Sequence, residues 1–473
     1  MTRETVSETG RARPTPRQIE AELTAAAAAA VERARAAGAD QAEACTTRAL
    51  AFTVRVADGE IESLKQSTVR GLGLRVIVNG AVGFVSSNDL SREALDDLAR
   101  RAVAIARFST PDEANQLAGL DEAPVDGAGG DLEVHDPALP ELSAERKIEM
   151  ALTLERTALA MDPRIRRTDG GMVSSSEGTT AIVNSQGVAR AWSGTGIQAW
   201  VVPLADDRDG KQQTGSRYVA RRRLADLPDL EQIAREAGAR ALARLGARSV
   251  ATARVPVVMH PDVAEAWIAD LHDAFSGESV LMKSSWLTEK LDQTIASPQV
   301  TLVDDGRLRR GSATEPYDGE GVPTRRNLLI DRGRCAMFLY DVYHARRAGT
   351  RPTGSAVRSW SSVPGIGYHN LYLEAGNETP EQILARVDRG FYMDDQGAYG
   401  FNPVTGDYSY QAQGFWIEKG EKVFPVEGVT VASTSLDMLR NVVAVGSDLE
   451  FDSSVSSPTL LISEMTVSGA GPG

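Results

Sequence analysis

Cysteine is nearly absent from this 473-residue chain, which holds only Cys45 and Cys335. The two stand far apart and fit neither a CxxC pair nor a zinc-ribbon spacing, so buried reduced thiols are expected. An excess of positive charge is also missing. With 51 Lys and Arg against 65 Asp and Glu the net charge is −14, the reverse of the clustered basic surface that nucleic acid rewards. No apolar run approaches the roughly 20 residues of a membrane span. Nor does the opening MTRETVSETGRARPTPRQ contain the apolar stretch of a secretory signal. A cytoplasmic protein with neither membrane nor nucleic acid as partner is expected, and residues 1–16 read as a disordered leader.

What is present is an ordinary globular composition, 42% hydrophobic and 25% charged, over a length that suggests two or three domains. Helix-forming residues predict a helix over Arg17–Ala37. Four strand runs follow, turned at Asp58-Gly59 and Asn79-Gly80, dipeptides that favour positive φ. Ser91 then caps a helix with Leu95, Leu98, Ala102 and Ile105 in one stripe. Proline, glycine and acid over residues 121–141 read as a linker, with His135 in solvent. A helix from Ser143 to Met161, four more strand runs and a helix from Asp229 to Leu245 come next. Helix, four strands, helix thus occurs twice, without a convincing residue-level repeat. Beyond residue 251 strands, turns and short helices dominate, including a capping box at Thr379–Gln382 and a helix from Ser435 to Val443. The expected fold is α+β: an α/β subdomain over 17–120, the linker 121–141, a second α+β segment over 142–250, and a mainly β domain with short helices over 251–473.

The stretch Val255–Pro298 poses the main chemical question. A short apolar strand feeds a helix with Pro261 at its first position and Gly277 at its end. Val263, Trp267, Leu271 and Phe275 share one face; Asp262, Glu265, His272 and Ser276 occupy the other, read as a solvated polar face. Metal-binding helices space their ligands three or four residues apart. His272 has Ile268 and Ala269 behind it and Phe275 and Ser276 ahead, and Glu265 lies about 10 Å away along the axis at roughly 1.5 Å per residue. Asp270 and Asp273 alone would hold a divalent ion weakly. The spacing therefore disfavours a metal.

Other motifs read as structural. Gly71-x-Gly73 sits in a strand with no helix after it, so it is no phosphate loop. Asp318-Gly319-Glu320-Gly321-Val322-Pro323 admits an acid/base or calcium role, but no further ligands follow at calcium-loop spacing, which favours a turn with its acids in solvent. Tyr343–Arg347 reads as a helix end opposing the dipole, and His369 as a structural histidine. Ser355–Ser362 lacks the strand-to-helix setting of a hydrolase nucleophile.

Three long stretches carry a resemblance: YDGEGVPTRRNLLIDRGRCAMFLYDVYHARRAGTRPTGSA, NPVTGDYSYQAQGFWIEKGEKVFPVEGVTV and LDMLRNVVAVGSDLEF. Together with GADQAEACTTRALAFTVRVADGEIES and RGLGLRVIVNGAVGF they resemble the TldD/PmbA family over nearly everything after residue 17. The resemblance implies a cytoplasmic zinc peptidase subunit, with an N-terminal α/β part and a β-rich C-terminal part, acting in a pair. The TldD type carries His-Glu-x-x-x-His on a helix plus a distant cysteine as ligands; the PmbA type, also called TldE, lacks them and is the partner. Aligning Ser284-Ser285 with the family puts the ligand positions at Ile268 and Asp273 and the general base at Ala269. A one-residue slip puts them at Trp267, His272 and Ile268. Neither register preserves the motif, and the C-terminal cysteine is missing too.

The expectation is a non-catalytic PmbA/TldE-like subunit of a two-chain zinc metallopeptidase acting on peptides or unfolded segments. It would have no catalytic residue and no metal of its own, and would be inactive alone. Zinc is expected in the partner, a TldD-like His-Glu-x-x-x-His chain, with a homodimer where that partner is lacking. Asp318, Gly319, Glu320, Gly321 and Pro323 belong to a family motif of unassigned role, and Phe391, Tyr392, Tyr399 and Phe401 are candidate interface residues. Two alternatives stand beside this one: a self-associating binding protein with no peptidase partner, and a hydrolase using His272, Asp273 or Glu320.

Overall fold

Thr15 starts the first helix, α1 (Pro16–Ala36), by accepting the backbone N–H of Gln18 while the Gln18 side chain accepts that of Thr15. The computed structural model describes residues 13–124, 130–397 and 400–471, so residues 1–12 of the expected leader lie outside the described residues. Within it, Arg13 is ion-paired to Glu177.

After α1 come strands β1 (Gln41–Ala57), β2 (Glu60–Val78) and β3 (Ala81–Ser87), then helix α2 (Arg92–Phe108). Asp58, Gly59, Asn79 and Gly80 all take positive φ, as the two turn dipeptides predict. The first unit has three strands and not four, because β2 runs unbroken through both of its expected halves. Ser91 caps α2 as read, but Ile105 is 44% exposed and the buried stripe is Leu95, Leu98, Ala99, Ala102, Val103 and Ala106.

The second unit comprises α3 (Ala144–Ala160), β4 (Ile165–Asn184), β5 (Ala189–Asp206), β6 (Gln212–Thr214), β7 (Arg217–Arg221) and α4 (Leu230–Ala243). The two units share one seven-stranded sheet, ordered β3-β2-β1-β4-β5-β6 with β7 also on β5. Strands β1 and β4 pair antiparallel from Glu43 opposite Asn184 to Val56 opposite Gly171. The described part of the expected linker is fastened to both halves of the molecule. Val134 O accepts the N–H of Thr195, and Leu132 O that of Arg310. His135 is half-buried with Nε2 3.8 Å from Glu177, not solvated as expected.

The C-terminal part adds β8 (Ala251–Met259), α5 (Pro261–Phe275), α6 (Gly277–Leu281), β9 (Leu302–Asp305), β10 (Arg326–Asp331), β11 (Arg334–Cys335) and α7 (Val342–Ala348). It continues with β12 (Ala356–Val357), β13 (Gly365–Ile366), β14 (Leu371–Leu373), α8 (Pro380–Ala385), β15 (Arg389–Gln396), β16 (Asp407–Glu418) and β17 (Glu421–Thr434). Last come α9 (Ser435–Arg440), β18 (Val442–Val445), β19 (Val455–Ser456) and β20 (Leu460–Ala470). The predicted helix through Val443 stops at Arg440, and its last residues, Val442 and Val443, begin the strand Val442–Val445 instead.

Five of these strands close a ring, since β17, β16, β15, β8 and β20 pair in order and β17 also pairs with β20. A second sheet runs β11-β10-β9-β14-β19. Side chains of α5 join strands of the ring and of this sheet in one core, with Trp267, Ile268, Leu271 and Phe275 at or below 1% exposure. No helix among the described residues is long and apolar enough to cross a membrane.

Candidate functional site

Helix α5 begins at His260, whose Nδ1 accepts the N–H of Asp262 at 3.1 Å, with Pro261 in the first turn. Trp267, at the first candidate ligand position of the shifted register, is fully buried, and its Nε1 donates to Ser435 Oγ at 3.2 Å. Ile268 is equally buried, and Ala269 packs against the same core. The apolar face extends further round the helix than the periodicity suggests, and the expected solvated face is mostly sunk. Ser276 is buried, and the His272 side chain is only 15% exposed. The His272 ring lies edge-on to Tyr368, centroids 4.9 Å apart, with Nδ1 3.2 Å from Asp273 Oδ1. Asp270, the other carboxylate on this turn, accepts the Tyr410 hydroxyl at 2.8 Å.

These residues do not fit a zinc ion. Neither an isoleucine nor an alanine offers an electron pair, and the indole N–H is a hydrogen-bond donor and no acceptor. Among the described residues no three His, Cys, Asp or Glu side chains converge as a metal set.

The acid-rich turn differs most from the sequence reading. Asp318 and Glu320 are 0% and 1% exposed, not in solvent. Asp318 Oδ1 accepts the N–H groups of Glu320 and Val322 at 2.9 and 3.0 Å, and Oδ2 accepts that of Ala356 at 3.1 Å. Glu320 Oε2 accepts the Val342 N–H at the start of α7 at 2.8 Å. Its Oε1 accepts from Arg75 Nη2, on β2, at 2.9 Å. Arg75 in turn meets Glu43 on β1, which also binds Arg358. Burial is the main force on both acids: it lifts Asp318 to about 6 and, against the pull of Arg75, Glu320 to about 7. Gly319 and Gly321 let this turn close, Gly321 at φ +78° and Gly319 donating its N–H to Ala356 O at 2.7 Å. Pro323 bridges back to Tyr317. The motif joins the N-terminal sheet to the C-terminal part. Arg75, Glu43 and Arg358 escaped the sequence reading, although an arginine inside the apolar run GLGLRVIV signals a buried partner.

The same contact explains Gly71 and Gly73. A Cβ on Gly71 would stand 2.3 Å from the Trp360 ring, and one on Gly73 would stand 2.0 Å from Trp360 O. The pair admits a C-terminal loop and not a phosphate.

A cleft of about 430 Å³ opens between the second N-terminal unit and α5, lined among others by Arg217, Arg240, His260, Glu265 and Asp452. Burial, reinforced by Asp262 and Asp452, raises Glu265 to about 8, and burial lowers His260 to about 4. At neutral pH Glu265 is protonated and His260 uncharged. With Nδ1 accepting the Asp262 N–H, the uncharged ring carries its proton on Nε2, 3.3 Å from Arg240 Nη2, so neither nitrogen is left as a free base.

Of the expected interface residues, Phe391 and Tyr392 are core side chains of β15, at 0% and 8% exposure. The two point to opposite faces of β15, Phe391 into the main C-terminal core and Tyr392 under Ile383 and Val387. Phe401 packs half-buried against the same core, and Tyr399 lies outside the described residues. His369, read as a structural histidine, is buried, and its backbone N–H donates to Asp304 Oδ1 at 2.7 Å. His344 sits in the first turn of α7, beside the capping Asp341, while Arg346 and Arg347 occupy the last turn.

The architecture is thus a two-part α+β protein whose halves meet through a buried ionic cluster, with a helix in the C-terminal core that lacks a His-Glu-x-x-x-His sequence. Its three parts match three family models: PmbA/TldA metallopeptidase domain 1 over residues 42–106, the central domain over 137–245 and the C-terminal domain over 252–469. The chain belongs to the PmbA/TldD metallopeptidase family. It is 31% identical over 430 residues to Metalloprotease PmbA of Escherichia coli O157:H7, covering 91% of this chain and 92% of that one. It is 30% identical to the Metalloprotease PmbA homolog of Haemophilus influenzae, covering 95% and 97%. A Bacteroides thetaiotaomicron crystal structure named for modulation of DNA gyrase superposes with a TM-score of 0.87 at 26% identity, covering 95% and 99%. TldE from Thermococcus kodakarensis, at 23% identity, shares the fold with a TM-score of 0.86 over 94% and 100%.

Proposed function

We propose that this chain is the non-catalytic, PmbA/TldE-like subunit of a two-chain metallopeptidase that cleaves peptides or unfolded segments. The observation that carries this reading is the burial of Trp267 and Ile268, at 0% exposure, where the family resemblance places metal ligands and the general base. A zinc peptidase needs protein ligands that leave one position open for water, and a carboxylate to take that water's proton. In this reading a TldD-like partner with an intact His-Glu-x-x-x-His helix supplies both. Co-expression with such a chain is expected to yield a mixed complex with chelator-sensitive cleavage of unstructured peptides, while this chain alone cleaves none. If the two chains do not associate and the motif-bearing chain is fully active by itself, the subunit role is wrong and a self-associating binding protein replaces it.

A further inference from the structure

The C-terminal loops do not cover the N-terminal sheet completely. Between them lies a recess of about 330 Å³ with Cys45, Trp192, Ser312, Glu315, Arg358 and His369 in its walls. The Arg358 side chain is 1% exposed and bound through Nη1 to Glu43. Its Nε and Nη2, the two N–H groups along the side edge of the guanidinium, have no hydrogen-bond partner. Buried donors without an acceptor are costly, and two parallel N–H groups on one guanidinium edge match the two oxygens of a carboxylate. Two further polar atoms are left over in the same walls: Ser312 Oγ, and Nδ1 of His369, which is 4% exposed and 4.0 Å from Asp304. Arg222, the neighbouring cation, spends Nε, Nη1 and Nη2 on the carbonyls of Gly311, Thr195 and Thr314. The vacant fork is therefore that of Arg358.

A second recess of about 220 Å³ shares the Thr180, Trp192, Arg222 and Glu315 walls and continues past Gly178 and Gly194. A carboxylate held at Arg358 thus has room behind it for an extended backbone. We propose that the recess binds the free C-terminal carboxylate of a short peptide on the Nε and Nη2 edge of Arg358. The choice of a peptide as bearer of the carboxylate rests on the family reading above; the carboxylate chemistry stands on Arg358 alone.

Isothermal titration of the full chain, without any partner, tests the assignment with three probes: trialanine, trialanine amide and acetate. Trialanine is expected to bind at least tenfold more tightly than either of the others, and Arg358→Gln to abolish the difference while Ser312→Ala weakens it. Because Arg358 also pairs with Glu43, the acid-against-amide comparison on the unaltered chain decides even where Arg358→Gln does not fold. Equal binding of acid and amide, or binding of neither at millimolar concentration, overturns the site. Acetate binding as tightly as trialanine overturns the peptide. Failure to pair with a motif-bearing chain would leave these titrations unchanged, so the two proposals fail separately.

Discussion

Arg75 Nη2 lies 2.9 Å from Glu320 Oε1, tying β2 of the N-terminal sheet to a turn 245 residues further along the chain. Both side chains are buried, and Glu43 is the second partner of the same guanidinium nitrogen. Removing one member of such a cluster leaves the others charged in a dry site.

Arg75→Met is therefore expected to lower unfolding stability by about 3–5 kcal/mol, read by urea denaturation. Glu320→Gln should cost less, since burial already holds this carboxyl up to about 7 and its neutral form is close at hand. Equal losses in the two variants would contradict the account.

Glu265 offers a test by pH. Its carboxyl is raised from 4.5 to about 8, so its contribution to stability is present in full below about pH 4.5 and is lost as pH rises through 8. His260 has the opposite sign: lowered to about 4, it contributes above 6.5 and loses that contribution as pH falls through 4. Above about pH 7 His260 is largely neutral in both states, and because Glu320, raised to about 7, titrates in the same window, it is the change in slope on replacing Glu265 that reports this carboxyl. Glu265→Gln is expected to flatten that slope by up to about 1.4 kcal/mol per pH unit, measured by denaturation at several pH values. An unchanged slope would mean that the carboxyl is ionised in the folded chain.

The purified chain should carry no stoichiometric zinc, and His272→Ala should leave its metal content unchanged. Elemental analysis after growth with added zinc checks both. One zinc per chain, lost in His272→Ala, would assign the metal to this subunit.

Trp267→Ala should destabilise the C-terminal part by about 3–5 kcal/mol through the cavity left in its core. Thermal unfolding reads the loss. Trp267→Phe, which keeps most of the volume but loses the bond to Ser435 Oγ, should fall between the two.

Much of this molecule is legible from local chemistry. Thr15 and Ser91 fix helix starts, and Asp58-Gly59 and Asn79-Gly80 fix two hairpins, because each acts through groups within a few residues. Apolar periodicity likewise identifies most of the buried face of α5. What the sequence hides depends on partners far along the chain. Asp318 and Glu320 look like solvent-facing acids until Ala356, Val342 and Arg75 reach them. Glu265 and His272 look like a polar face until the surrounding elements cover it, and Phe391 and Tyr392 look like loop aromatics until β15 places them between β8 and β16. The sharing of one sheet by the two N-terminal units is also long-range, since no periodicity within β1 or β4 names the other as its neighbour.

The closed ring of strands has a consequence for synthesis. β8 is the first strand of the ring to leave the ribosome, yet one of its two neighbours, β20, is made about 200 residues later and also completes the seam with β17. At about 5–20 residues per second that is a delay of roughly 10–40 s. Throughout it the apolar run Val255–Met259 waits with an open edge, the kind of edge on which nascent chains pair wrongly. The C-terminal part is in this sense a latch that the last strand of the ring in chain order must close. Chaperone demand during expression should therefore fall on the interval before residue 460, when the N-terminal sheet is already complete.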